Sequence, residues 1–320
     1  MKILITGGAG FIGSHLAERL ARDRHQLFLL DDLNDFYSPQ LKQENLASVR
    51  AAGEVQFFHQ DICDEGAVFR IFERVRPDAV VHLAARAGVR PSLHQPLLYE
   101  RVNVGGTLVL LEACRRLGVP KFLFASSSSI YGITNRLPFS EGDHLNLPVS
   151  PYAATKLAGE KLCYTYSHLY GLSVVCLRFF TVFGPRQRPD LAIRKFTDLI
   201  EEGRPVPVFG DGSSGRDYTF VADIVEGIRA ALALETRYEI FNLGNSHPIG
   251  LSTMIRTIEQ ALGKKALLRQ EPDQAGDVPI TFADISKAQR ELGYRPSTPF
   301  ADGIRSFVSW YRERKAALAA

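Results

Sequence analysis

Tyr152 and Lys156, in Tyr152-Ala153-Ala154-Thr155-Lys156, stand four residues apart. On a helix that spacing puts both on one face, one turn from each other. An ammonium beside a phenol favours the phenolate. A free tyrosine titrates near pH ~10, so making it a proton acceptor near neutrality takes roughly three units, or about 4 kcal/mol. The chemistry open to the pair is removal of a proton from an alcohol. Alone the spacing is weak, because Tyr-x-x-x-Lys also occurs by chance on solvated helix faces.

The first dozen residues give the pair its weight. Lys2-Ile3-Leu4-Ile5-Thr6 reads as a short buried strand. Gly7-Gly8-Ala9-Gly10-Phe11-Ile12-Gly13 follows without a gap, and Ile12, Leu16 and Leu20 then recur at helical spacing. Strand, glycine turn and helix together form the context of a dinucleotide fingerprint. Gly7 suits a tight turn, Gly10 close approach of N–H groups to a pyrophosphate, and Gly13 packing of helix on strand. The anion would sit at the helix N-terminus, where unpaired N–H groups and the dipole favour it. A second strand, Gln26 to Leu30, ends in Asp31. A carboxylate there suits the two ribose hydroxyls of NAD and repels the extra phosphate of NADP.

With these residues in place, the chain resembles the extended short-chain dehydrogenases/reductases of the nucleotide-sugar epimerase and dehydratase group, and among them most the UDP-glucuronate 4-epimerase branch. The likeness runs from Met1 to about Tyr311. It is carried by the spaced glycines, Asp31, His82-Leu83-Ala84-Ala85, Ser126-Ser127-Ser128-Ser129-Ile130-Tyr131-Gly132, Tyr152 with Lys156, and Gly210-Asp211-Gly212 through Asp217. The resemblance implies an NAD-dependent isomerase that inverts carbon 4 of a UDP-sugar through a 4-keto intermediate. It implies Tyr152, Lys156 and Ser127 as catalytic residues. Asp61 and Ile62 would lie at the adenine, Leu83, Ala84 and Ala85 along the cofactor, and Asn103 beside it; a plain surface amide is the other reading of Asn103. Ser128 and Ser129 stand where dehydrating and decarboxylating relatives carry an acid, which favours reversible oxidation over elimination.

The segment Asp32 to Lys42, Thr181 after Phe179-Phe180, and Arg186-Gln187-Arg188-Pro189-Asp190 are similar to the uronate branch. Arg188 and Thr181 are expected to face a sugar carboxylate, with the serines at 127–129. Arg186 reads as a solvent-facing loop charge. Arg216 matches a phosphate-binding arginine and Asp277 a position near the nucleotide, while Arg90 could meet phosphate or carboxylate. Two departures stand out: Arg86 where the branch shows glutamine, and Gln274 where relatives carry a second UDP-binding arginine. His82 reads as a strand-end or surface histidine without a catalytic task. The alternatives are an epimerase for UDP-glucose or a UDP-N-acetylhexosamine and, more remotely, a non-catalytic NAD(H) sensor.

Composition agrees with a nucleotide-sugar enzyme. The net charge of +3, from 38 basic and 35 acidic side chains, argues against a nucleic-acid surface. Cys63, Cys114, Cys163 and Cys176 show no metal-ligand spacing and suit a reducing, cytoplasmic setting. No apolar run approaches membrane-spanning length, and the opening strand leaves no room for a signal peptide.

The elements that must position these groups alternate. Strands are expected at Lys2–Thr6, Gln26–Leu30, Val55–His59, Ala79–Leu83, Lys121–Ala125 and Ser173–Phe180. Helices are expected at Pro39–Ala52, Glu65–Val75, Pro96–Leu117 and Tyr152–Tyr170. This rhythm predicts an α/β fold with a Rossmann-type, doubly wound parallel sheet. Beyond Phe180, Val221–Leu234 reads as a helix and Tyr238–Leu243 as a strand rejoining the sheet, followed by helices at Ser252–Leu262, Ile285–Leu292 and Ala301–Arg314. The expected division is a cofactor domain at 1–180 plus about 217–244, and a smaller, discontinuous nucleotide-sugar domain at 181–216 and 245–320. The family likeness implies a homodimer paired through helices containing Val102–Leu117 and Leu157–Leu169.

Overall fold

The structure, a computed structural model, describes residues 1–133, 136–143, 147–210, 212, 214–272 and 279–319. The first half alternates as the apolar pattern requires: β1 (Lys2–Thr6), α1 (Phe11–Arg22), β2 (Gln26–Asp31), α2 (Pro39–Ala52), β3 (Val55–His59), α3 (Glu65–Val75) and β4 (Ala79–His82). Then come α4 (Val89–His94), α5 (Pro96–Glu100), a π-helical turn (Arg101–Gly106), α6 (Thr107–Leu117), β5 (Lys121–Ser127), a 3-10 turn (Ser128–Tyr131), α7 (Pro151–Tyr170) and β6 (Ser173–Phe179). The remaining elements are β7 (Thr181–Phe183), α8 (Ala192–Glu201), β8 (Pro205–Phe209), β9 (Gly215–Phe220), α9 (Val221–Ala233), β10 (Tyr238–Leu243), β11 (Pro248–Gly250), α10 (Leu251–Leu262), β12 (Leu267–Glu271), α11 (Ser286–Leu292) and α12 (Phe300–Ala319).

Seven parallel strands form the main sheet in the order β10-β6-β5-β4-β1-β2-β3. Alternate strand residues feed opposite faces. Ile3 and Ile5 join Leu16 and Leu20 of α1, Val49 of α2 and Ile228 of α9, whereas Leu4 joins Phe72 of α3, Leu111 of α6 and Cys163 of α7. Both faces are therefore covered, as an all-parallel sheet demands. The strand order reverses between β1 and β4, and a ligand crevice opens at such a switch point beyond the strand C-termini.

After β6 the chain builds two small sheets, β11-β9-β7 and β12-β8, before and after returning to the main sheet as β10. A third apolar cluster lies here, with Phe183, Phe196, Tyr218, Met254, Ile258 and Phe307 at its centre.

The expected 96–117 helix divides into three. Its π-helical turn ends at Gly106, where a Cβ would lie 2.6 Å from Ile62 Cδ1, so the backbone is pressed against the segment after β3. Helix α4 and the short strands of the second half were not expected. Several are only three residues long or begin at proline, so they carry too little alternation to read.

Candidate active site

The crevice at the switch point is a cavity of ≈ 420 Å³. At one end its wall is the glycine turn. Gly7 has φ +70, and a Cβ there would sit 2.7 Å from the Ala84 nitrogen. A Cβ on Gly13 would lie 2.2 Å from the Gly7 carbonyl oxygen, so α1 packs on the turn only with hydrogen at that position. Gly10, Phe11 and Ile12 complete this wall, and no side chain caps α1 at Gly10. The first-turn N–H groups are thus left for an anion.

Asp31 closes the same end. It is 6 % exposed, and its carboxylate accepts from Ala9 N at 3.1 Å and Leu33 N at 2.9 Å, which fixes its oxygens at the rim. Burial raises its pKa, against the pull of the Leu33 N–H and the Lys42 ammonium. Leu83, Ala84 and Ala85, after β4, line the wall between the glycines and the serine run, while Asp61 and Ile62, after β3, line it on the opposite side of the glycines. The bare glycine wall, the uncapped helix and the fixed carboxylate fit NAD: Gly7, Gly10, Phe11, Ile12 and Gly13 would hold its diphosphate and Asp31 a ribose.

At the other end, β5, the 3-10 turn and α7 deliver Ser127, Ser128, Ser129, Tyr152 and Lys156 to the same cavity. Pro at the start of α7 and the Ser150 side chain, which accepts from Ala153 N, set where that helix begins. Ser127 Oγ accepts from Ser129 Oγ at 2.9 Å and Ser129 N at 3.2 Å. A hydroxyl has two lone pairs and one proton, so Ser127 has its proton left to donate. It faces the Tyr152 phenol, whose pKa it lowers.

Burial raises the Tyr152 pKa, and the Ser127 hydrogen bond and the Arg188 charge oppose it. This corrects the electrostatics read from the sequence, which assigned the opposing pull to Lys156. The Lys156 ammonium instead donates to Ala125 O at 2.7 Å and lies 5.1 Å from the centre of the Phe124 ring. Burial lowers its pKa to about 8.

Thr181 and Arg188 also face the cavity. Arg188 binds both oxygens of Asp190, at 2.9 and 2.8 Å, and lies over Phe36 at 5.5 Å. Arg90 and Arg216 are not part of the wall. Arg90 is exposed and lies over Phe209 at 5.5 Å. Arg216 donates to Gly215 O at 2.8 Å and to Pro279 O at 3.3 Å. Asp277 and Gln274 lie outside the described residues.

Two expectations need correction, and of the two readings of His82 the strand-end one holds. Asn103 is neither a surface amide nor part of the cavity wall: it is 1 % exposed, accepts from Arg86 N and donates to Arg86 O and Thr155 Oγ1. It clamps the loop that follows Ala85. Arg186 is not a solvent-facing charge; it donates to Glu18 at 2.6 Å and to Ser14 at 3.4 Å, from a backbone with φ +65. His82 is buried between Thr6 Oγ1 at 2.7 Å and Thr107 Oγ1 at 2.9 Å. Thr107 donates its own proton to Asn103 O, so it accepts from Nε2–H of His82 and leaves Nδ1 to accept from Thr6. Desolvation lowers this imidazole's pKa to about 3.

Sequence reasoning singled out the segment 32–42 but no residue within it. Asn34, Phe36, Tyr37 and Lys42 line the cavity, with Lys42 Nζ donating to Asn34 O at 2.7 Å. Arg86 lines it too, reaching Asn34 Oδ1 at 3.2 Å. The departure from glutamine was the only signal for Arg86.

Known proteins share this arrangement across nearly the whole chain. The family model described as GDP-mannose 4,6 dehydratase matches residues 4–307. The UDP-glucuronate 4-epimerase of Thermodesulfobacterium geofontis is 42% identical over 311 residues, 97% of this chain and 96% of the relative. UDP-glucuronate 4-epimerase 4 of Arabidopsis thaliana is 41% identical over 97% of this chain and 75% of the plant protein. The crystal structure of the Bacillus cereus UDP-glucuronic acid 4-epimerase with UDP-glucuronic acid and NAD superimposes with a TM-score of 0.92 at 36% identity, covering 98% of this chain and 100% of that one. The Thermotoga maritima UDP-glucose 4-epimerase with UDP-glucose gives 0.91 at 33% identity, covering 98% and 100%. A glycine-walled crevice with a serine, a tyrosine and a lysine at its far end, on a sheet matched from end to end, makes this chain a member of the GDP-mannose 4,6-dehydratase family of extended short-chain dehydrogenases/reductases.

Proposed function

We propose that the chain is an NAD-dependent UDP-sugar 4-epimerase, with UDP-glucuronate and UDP-galacturonate as its preferred pair. The observation that carries this reading is one cavity with a dinucleotide cradle at one end and Ser127, Tyr152, Thr181 and Arg188 at the other. Bound NAD supplies an acceptor that takes a hydride from carbon 4 and gives it back. Tyr152 as phenolate takes the hydroxyl proton of that carbon and returns one to the keto oxygen. Ser127 donates to the reacting oxygen or to the phenolate. Lys156, anchored on Ala125, would hold the nicotinamide ribose. Inversion requires these groups to release one face of the keto sugar and receive the other.

Elimination is disfavoured by the carboxylates' positions. Among the described residues, those lining the cavity are Asp31, Asp32 and Asp61. Asp31 ends β2, three strands from β5, roughly 14 Å at ~4.8 Å per strand. None stands beside Ser127 to protonate a leaving hydroxyl.

Oxidation of a uronate at carbon 4 creates a β-keto acid, which loses carbon dioxide when the carboxylate stands perpendicular to the ketone plane. Arg188, Thr181 and the serines at 127–129 would hold it nearer that plane, a positioning role. A second reading, a neutral UDP-hexose or its N-acetyl form, is favoured by one observation: Asp190 already neutralises Arg188. Separate incubation with UDP-glucuronate and UDP-glucose, followed by chromatography, tests both. Conversion of UDP-glucose alone would overturn the uronate assignment.

The same reading divides the chain into a cofactor domain, 1–180 with about 217–244, and a sugar-nucleotide domain, 181–216 with 245–320. The separate apolar cluster around Phe183 and Phe307 supports it. It also takes the enzyme as a cytoplasmic homodimer paired through α6 and α7. The four free cysteines support a reducing compartment, and exposed Leu108, Tyr164 and Leu169 support pairing through those helices. No helix of the described residues is long and apolar enough to cross a membrane.

A further inference from the structure

Behind the serine run lies an ionic network that the chemistry above does not use. Phe122, Phe124 and Ser126 point to one face of β5, toward α7. Helix and strand meet closely at Gly159, where a Cβ would lie 2.4 Å from Phe124 Cζ. This brings Glu160, one turn beyond Lys156, against the strand end. Ser126 Oγ donates to Glu160 Oε1 at 2.6 Å. Arg178, the register partner of Ser126 on β6, donates to Glu160 Oε1 at 3.0 Å and Oε2 at 2.9 Å. It donates further to Tyr131 OH at 2.9 Å, and that hydroxyl donates to Asn242 Oδ1 at 2.6 Å. Ser126, Glu160 and Arg178 are 3 %, 1 % and 2 % exposed.

A buried ion pair is weak support for stability, since apolar residues of the same volume often serve the fold as well. What this one does is geometric. Its members stand on each element that carries a reacting group: β5 with Ser127, the 3-10 turn with Ser128 and Ser129, α7 with Tyr152 and Lys156, and β6 leading to Thr181. Besides the Lys156–Ala125 bond, the strand end is tied to the helix by the Ser126 hydroxyl on the Glu160 carboxylate, one residue from Ser127 and four from Lys156.

We propose that Ser126 is a positioning residue, which, held by the Glu160–Arg178 pair, fixes the spacing between Ser127 on the strand and Tyr152 and Lys156 on the helix. The inference rests on the epimerase reading. It concerns how reacting oxygens are aligned, not which sugar is bound. Misplacement of a reacting group by about 1 Å costs about a hundredfold in rate.

The test is Ser126→Ala, which deletes one hydroxyl and leaves the ion pair intact, with Ser126→Thr as the variant that restores the oxygen. Ser126→Ala is expected to lower kcat about 10- to 100-fold with KM within about twofold of wild type. The acid limb of its kcat profile should move to higher pH, because a displaced Ser127 no longer lowers the Tyr152 pKa. Ser126→Thr should recover both kcat and the profile. Wild-type kcat and profile in Ser126→Ala would overturn the proposal. So would a kcat loss matched by the fraction of unfolded protein, measured by circular dichroism, with the profile unmoved. If the wild-type enzyme converts no UDP-sugar at all, the epimerase reading fails first, and that result is distinct from either.

Discussion

The charge of Arg188 acts on the phenol of Tyr152, pulling it toward the ionised form from within the same cavity. A residue read from the sequence only as a carboxylate receptor is therefore also coupled to the base. A substrate carboxylate that binds Arg188 shares the guanidinium with Asp190 and changes the field at the reacting oxygen.

Arg188→Ala should therefore show two effects. Loss of a charged hydrogen bond worth about 1.5–3 kcal/mol should raise KM for UDP-glucuronate roughly 10- to 150-fold. UDP-glucose should be much less affected. Without the cation, the Tyr152 pKa rises further, so the acid limb of kcat/KM moves to higher pH. Steady-state kinetics with both sugars across pH 6–10 checks this, and chromatography reveals any pentose released by decarboxylation.

Lys156→Met separates chemistry from stability. Burial holds the Lys156 pKa at about 8 against an ordinary 10.5. Between those values the unfolded chain binds the proton and the folded chain does not, so stability rises with pH there. Below pH 8 the buried charge costs on the order of 3 kcal/mol, partly offset by the bond to Ala125. The variant should lose activity at least a hundredfold. It should nevertheless be no less stable than wild type at pH 7 by urea denaturation, an advantage that shrinks toward pH 10.

A buried and a half-buried imidazole set the acid limit. His82 and His15 have pKa values lowered to about 3 and about 4, in both cases chiefly by burial. As pH falls below 6.5 the unfolded chain takes up protons that the native protein refuses, so stability falls. Each contributes a slope of about 1.4 kcal/mol per pH unit until its folded value is reached. In His82→Gln, the slope of unfolding free energy between pH 6 and 4.5 should drop by about that amount. An unchanged slope would mean that His82 is already charged in the native protein.

Gly13→Ala tests the glycine wall. The added carbon would sit 2.2 Å from the Gly7 carbonyl oxygen, and the turn must spread to admit it. A loss on the order of 2 kcal/mol in stability is expected. NAD affinity should fall at least tenfold, measured by calorimetric titration. Gly105→Ala, with nothing within 4 Å, is the control that should bind NAD normally.

The cofactor half was legible because its signals are local. The apolar run of β1, the glycine spacing and the terminal Asp31 each act within a few residues, and the sheet order follows from right-handed crossovers. Tyr152 and Lys156 were legible because helical spacing alone puts them on one face. Asn103 was misread, and the two readings of His82 could not be separated, because their settings depend on partners far away in sequence, Arg86, Thr6 and Thr107. A polar side chain looks the same in a sequence whether water or a buried threonine satisfies it. Arg186 was misread for the same reason, since Glu18 lies on the glycine helix. The pull on Tyr152 was assigned to the nearest cation in sequence, whereas the fold supplies it from another loop.

Strand β10 has a consequence for synthesis. It is the outermost strand beside β6, yet the ribosome makes it only after the whole 180–237 segment. Until then a nascent chain carries β6 with a bare, apolar flank able to pair with any extended neighbour. Translation that stalls between these two strands should yield a sticky half-sheet, so truncations ending near residue 200 should aggregate more than those that extend past 243.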